Sequence, residues 1–230
     1  MSITSRHGSR SLRLLAAAGA CAFTLTACGS SAEPSAELAD DFLCAMEAKS
    51  PEHEQLLRIM RADTYTPQVD HRAPRFVEGM QINLRGEPEY RVTPSIRACV
   101  FFRNNGREAG QTTLTYAWEP LVDGQKPASP AGARSYRLGG ATGWSHDSAT
   151  GLVVRCDMPG ALEAPSKNVL LRADASFIVP PAPGHDHGTQ DRQMDFVYRM
   201  ARRATEALGC ANKPLEKEPV VEPVAGGGAS

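Results

Sequence analysis

Three stretches of this 230-residue chain hold residue types that could do chemistry. Ser145-His146-Asp147 contains the three members of a nucleophilic triad. Working triads gather those residues from distant positions, whereas here they are adjacent. The run from Gly143 to Asp147 also misses the G-x-S-x-G elbow at its last place, and no strand leads straight into it. The stretch therefore reads as a plain surface turn. His185-Asp186-His187 offers two imidazoles at i, i+2 spacing for a metal. A third ligand would have to come from Asp191 or His53 through tertiary placement. The surrounding Pro and Gly favour a solvated loop instead. Trp118 and Trp144 could stack on sugars, but aromatic side chains on a strand face are more often core. Glycoside hydrolysis needs two carboxylates at a set separation, which no spacing here specifies. Phosphate loops, dinucleotide fingerprints and HExxH are all missing. The reading therefore assigns no catalytic, cofactor-binding or metal residue.

The cysteines carry the clearer chemistry. Arg6, Arg10 and Arg13 precede an apolar run, Leu14 to Leu25. That run is shorter than the roughly 20 residues a spanning helix needs. A basic start, a short apolar stretch and small residues before a cut site mark a secretory signal peptide, here residues 1–27. No adjacent Arg pair precedes the run, so general secretion is expected over the twin-arginine route. Leu25-Thr26-Ala27-Cys28 then resembles a bacterial lipobox. The resemblance implies a diacylglyceryl group on the Cys28 sulfur and cleavage just before it. Only a thiolate is nucleophilic enough for that alkylation near neutral pH. Two acyl chains hold a protein stably where one holds it weakly. Cys21 sits inside the apolar run without small residues before it and is not read as the acceptor. Residues 28–35 are small, polar and turn-prone, as a flexible spacer should be.

Removing Arg6, Arg10 and Arg13 takes the formal charge from −1 to −4. With no Lys/Arg block the chain lacks the basic footprint of a nucleic-acid binder. Apolar content of 41% is that of a globular protein, so the chain can bury a core. Residues 36–210 are enough for one domain. Residues 211–230, rich in Pro, Glu and Gly, read as a disordered tail.

Cys44, Cys99, Cys156 and Cys210 remain in the exported domain. An even count in an exported chain reads as two disulfides, and four cysteines allow three pairings. No CxxC or Cys/His cluster at ligand spacing favours zinc. Sequential pairing, Cys44 with Cys99 and Cys156 with Cys210, is the expectation, because it staples a helix to a strand each time. Helices packed side by side would instead bring Cys44 to Cys210.

The elements that must place these residues follow from periodicity. A first helix is expected over Ala36–Lys49, with Leu38, Phe42 and Met46 on one face and Cys44 on it. Ser50-Pro51-Glu52 signals a second helix, running to about Arg61. Pro67, Pro74, Pro88 and Pro94 argue against a long helix beyond it, and Phe76–Leu84 reads as a strand. Cys99–Arg103, the Asn105-Gly106 turn and the alternation of Leu114, Tyr116 and Trp118 read as a hairpin. Residues 120–133 and 139–151 read as loops flanking a short strand, Tyr136–Leu138. Leu152–Cys156 reads as an apolar strand. From Val169 to Phe177 apolar and polar residues alternate, so that sheet is antiparallel with one wet face. After a Pro-rich crossing a last helix spans Gln190–Leu208, closed by Gly209. The fold class expected is α+β, a mainly antiparallel sheet with N-terminal and C-terminal helices packed on it and two disulfides.

Taken together, the Ala, Arg, Gly and Pro usage, the lipobox and the four later cysteines resemble actinobacterial-type cell-surface lipoproteins with a four-cysteine extracytoplasmic domain. The domain is also loosely similar to two-disulfide extracellular sensor domains. Neither resemblance implies an activity or a cofactor. The expected location is the extracytoplasmic face of the cell membrane, reached through Cys28. The expected role is a non-catalytic module that binds a small molecule or an envelope protein, and not nucleic acid. An envelope hydrolase with an unrecognised site is the alternative.

Overall fold

The computed structural model describes residues 39–86, 90–104, 110–122, 129–179 and 187–224. The expected signal peptide, lipobox and spacer all lie outside them, as do residues 36–38 of the expected first helix. So do the Asn105-Gly106 turn and the Pro-rich crossing at 180–186.

Ser50 accepts from the backbone N–H of His53 at 3.3 Å and so caps α1 (Pro51–Met60). That helix ends at Arg61, in the left-handed region with φ 51°. An edge strand, β1 (Tyr65–Val69), follows and carries Pro67. Proline is tolerated there because an edge strand has N–H groups with no ladder partner to lose. Next comes α2 (Ala73–Arg85), where a strand was expected over Phe76–Leu84. Phe76, Met80 and Leu84 are all buried at four-residue spacing. Pro74 sits in the first turn, where the missing N–H costs nothing.

Strands β2 (Ile96–Arg103) and β3 (Gln111–Pro120) form the expected antiparallel hairpin. A bulge between Arg97 and Cys99 shifts its register. Strand β4 (Arg134–Leu138) leads into β5 (Ala141–His146) and β6 (Ala149–Val154). These two strands replace the loop expected over 139–151. Glycine stands within them because neighbours use the space. A Cβ on Gly151 would lie 2.7 Å from the Trp144 indole, and one on Gly143 would lie 2.8 Å from Met194. A single α-helical turn, α3 (Glu163–Ser166), precedes β7 (Val169–Ile178). The long α4 (His187–Leu208) follows, with Gly209 taking φ 70° just beyond it.

All pairings are antiparallel, in the order β1-β2-β3-β7-β6-β5-β4-β8, where β8 is Glu222–Pro223. The longest ladder, β3 on β7, lies at the centre and pairs Thr115 with Asp174 and Ala117 with Arg172. Leu114, Tyr116, Trp118, Leu171, Ala173, Ala175 and Phe177 turn to one face and are buried. There α4 covers β5, β6 and β7, α2 covers β2 and β3, and α1 packs on α4. The Trp118 indole donates to Met80 O at 2.8 Å and the Tyr116 hydroxyl to Met200 O at 3.1 Å. Both large side chains thus enter the core with their polar atoms satisfied.

Cys44 bonds to Cys99 and Cys156 to Cys210, the sequential pairing. The supports differ from those expected. Residues 39–50 turn and bend instead of forming a helix, and Lys49 takes φ 71°. Cys156 lies two residues beyond β6. The tail also departs from expectation. Residues 211–224 lie against the domain: Leu215 is buried, Tyr198 donates to Lys217 O, and β8 pairs with the edge of β4. Apolar anchorage and ion pairs supply the order that the composition of the tail does not.

Candidate functional site

The triad residue types diverge. Successive strand residues point to opposite faces. Ser145 therefore faces α4 and is fully buried, contrary to the surface turn expected. Its hydroxyl donates to Gln193 Oε1 at 2.9 Å and lies 2.8 Å from Thr150 Oγ1. Gln193 in turn donates to the carbonyl of Asp147 at 3.1 Å. The hydroxyl thus belongs to a buried polar network that fixes α4 over the β5–β6 hairpin. Only Asp147 and Ser148 form the turn.

His185 and Asp186 lie outside the described residues, and His187 opens α4. The ligands that would have completed a site are engaged elsewhere. Asp191 accepts from the Tyr136 hydroxyl at 2.8 Å and from Arg134 at 3.2 Å. Burial and the Asp191 carboxylate push the Tyr136 hydroxyl well above its ordinary pKa. His53 packs its ring on Tyr65, centroids 5.4 Å apart. Among the described residues no three His, Cys, Asp or Glu gather as a metal cage.

Both tryptophans are buried, Trp118 in the core and Trp144 across Gly151. Neither ring offers a free face for a sugar. Beside Trp144, on the sheet face away from the helices, Arg172 pairs with Asp174 at 2.7 Å and with Glu119 at 3.4 Å. Burial works against the Arg172 charge, but the two carboxylates outweigh it and raise its pKa. Burial also raises the Asp174 pKa against the pull of Arg172. Its Oδ1 is buried without a partner. This cluster ties β7 to its neighbour β3 side chain to side chain.

Room for a ligand lies elsewhere. A cleft of about 460 Å³ opens between the last turn of α4 and the strap 211–216. That volume is within the usual range for small-molecule sites. Thr205, Glu206, Cys210, Lys213, Leu215 and Glu216 line it. Arg202, at its side, pairs with Glu206 and with Glu218, both at 3.2 Å. Arg199 pairs with Glu218 at 2.8 Å and with Asp195 at 3.2 Å. Those pairs pin the strap and leave Lys213 and Glu216 as the exposed charges at the rim. Two opposite charges at the mouth suit the charged ends of a small amphoteric molecule. Sequence reading missed the cleft because half of it is built from the tail. Leu215, a lone apolar residue among Pro, Lys and Glu, was the signal available.

No protein family, curated protein or solved structure matches this chain.

Proposed function

We propose that this chain is a lipoprotein carried on Cys28 at the extracytoplasmic face of the cell membrane, where its disulfide-bonded domain binds a ligand without catalysis. The observation that carries the reading is the Leu25–Cys28 box placed before a domain stapled by two disulfides. Disulfides persist in oxidising compartments, so the anchor and the staples point to the same side of the membrane. The cleft between α4 and the strap supplies the volume for binding. Apart from Lys213 and Glu216 at the rim, the charged groups described above are committed to structural pairs, which favours binding over turnover.

The test is in two parts. Intact mass and membrane fractionation of the wild type and Cys28→Ala read the anchor. The wild type should carry a diacylglyceryl adduct and sediment with membranes, and the variant should do neither. An unmodified mature chain with a free Cys28 thiol would sink the anchor. Thermal shift with free leucine and with alanyl-leucine reads the cleft. Stabilisation by either probe should vanish in Lys213→Ala/Glu216→Ala. Hydrolysis of alanyl-leucine by the pure protein would move the reading to an envelope hydrolase.

A further inference from the structure

We propose that the end of the sheet bearing Tyr90, Val92, Leu121 and Val122 lies on the bilayer surface, inserting these side chains among the lipid headgroups. This inference rests on the lipid-anchor reading. Tyr90 is 77% exposed and Val122 51%, with Val92 and Leu121 also exposed. Hydrogen bonds gather the two segments at one end of the sheet. Thr93 N–H donates to Trp118 O and Trp118 N–H to the Thr93 hydroxyl, both at 2.9 Å. Leu121 N–H donates to Asn168 O at 2.9 Å. Trp118 is locked in the core, so the flanking residues cannot fold inward to hide. Exposed apolar side chains gathered in this way mark a contact surface. Tyrosine at such a surface suits the headgroup layer, with an apolar ring and a polar tip.

The length of the tether names the occupant. Eleven residue steps separate Cys28 from Ala39. They reach at most about 40 Å. The chain enters the domain at Asp40, whose carbonyl accepts from the backbone of Ala73 and whose carboxylate pairs with Arg72 at 2.6 Å. That is the start of α2. The patch lies at the other end of α2, where Asn83 donates to Pro94 O at 3.0 Å. A helix of 13 residues is about 20 Å long. The tether therefore spans the distance with slack to spare. A link of only eleven residue steps also holds the patch at an effective concentration on the order of millimolar against the lipid, so weak apolar contact is enough.

Charge does not drive the contact. Arg85 and Arg91 flank the patch, but Glu87, Glu89 and Asp123 stand beside them in sequence and leave no positive excess. The contact should be insensitive to salt and to the anionic fraction of the bilayer.

The experiment is amide hydrogen exchange on the full chain with Cys21→Ala, tethered through Cys28 to phosphatidylcholine vesicles. Native lipids serve where intact mass shows them. A maleimide phospholipid serves where mass shows a free thiol, so failure of the anchor leaves the patch measurable. Exchange at 90–93 and 121–122 should slow by about threefold or more relative to the untethered chain. It should stay slow in about 0.5 M salt, where surface charge is screened. Tyr90→Glu/Val122→Glu should abolish the effect without changing exchange in α4. Unchanged exchange at the patch on tethering, or equal slowing at the β5–β6 turn, would overturn the proposal.

Discussion

Arg203, late in α4, donates to the carbonyl of Phe42 at 3.0 Å across 161 residues of sequence. It also donates to Ala45 O and pairs with Glu52 at 3.1 Å. Its guanidinium stands 4.7 Å from the centroid of the Phe42 ring. In a helix over 36–49 the Phe42 and Ala45 carbonyls would serve N–H groups four residues on. Arg203 takes them instead, and the Cys44–Cys99 bond draws the same turn onto β2.

Arg203→Met should therefore destabilise the domain by about 3 kcal/mol, the usual cost of breaking a largely buried, hydrogen-bonded ion pair. Lysine should not restore it, because one ammonium cannot reproduce the planar fork. Urea unfolding with the disulfides intact measures both. A loss under about 0.5 kcal/mol would show that the turn is held by the disulfide alone.

Gly151→Ala should cost about 1–3 kcal/mol by forcing the Trp144 indole aside. The double variant Gly151→Ala/Trp144→Ala should cost less than the sum of the two single changes. Additive costs from a thermodynamic cycle would show that the 2.7 Å approach is not what glycine serves here.

Each disulfide closes a loop of similar length, with separations of 55 and 54 residues. Cys99→Ser and Cys210→Ser should each cost about 4 kcal/mol in the chain-entropy account. The free partners Cys44 and Cys156 should be changed to Ser as well, to prevent exchange. Non-reducing peptide mapping of the wild type checks the pairing first; a peptide linking Cys44 to Cys210 would contradict it.

Stability should fall at alkaline pH. Burial, with the Glu52 carboxylate second, pushes the Tyr65 hydroxyl up from its ordinary value of 10.0 to about 12. Burial also raises Tyr116 and Tyr136. The folded pKa exceeds the unfolded one, so this contribution is complete below pH 10 and is lost as pH rises through about 12. Melting temperature followed against pH, beside tyrosinate absorbance, should show the fall in wild type and a smaller one in Tyr65→Phe. A Tyr65→Phe profile identical to wild type would remove Tyr65 from the account.

Leu215→Ala should cost about 2–4 kcal/mol, as a buried leucine does elsewhere. It should also speed exchange of the Val224 amide, which donates to Ser135 O at 2.9 Å. Unchanged stability would return the tail to the disordered state its composition suggests.

The elements legible in the sequence are those whose burial follows one period. Leu171, Ala173, Ala175 and Phe177 alternate, and β7 is where they stand. Met194, Val197, Ala201, Ala204 and Leu208 share a helical face, and α4 carries them. The helix α2 was equally legible in the spacing of Phe76, Met80 and Leu84, but nearby prolines outweighed it. The β5–β6 hairpin hid because its glycines serve a tryptophan and a methionine that only the fold brings near. The turn at 39–50 and the strap were hidden for a related reason. Their order comes from Arg203, Arg199 and Arg202, which lie far along the chain or on another element. The same separation concealed the cleft.

The sheet ends on a proline at both sides. Pro67 sits in β1, paired across to Phe101, and Pro223 sits in β8, paired across to Tyr136. Proline brings no N–H to offer an incoming strand. An unprotected edge recruits strands from neighbouring molecules, and confinement to a membrane plane would raise the frequency of such encounters. Eight strands thus finish in two residues that do not donate to a ninth. Pro67→Thr and Pro223→Thr are the changes most apt to let copies of this chain pair edge to edge.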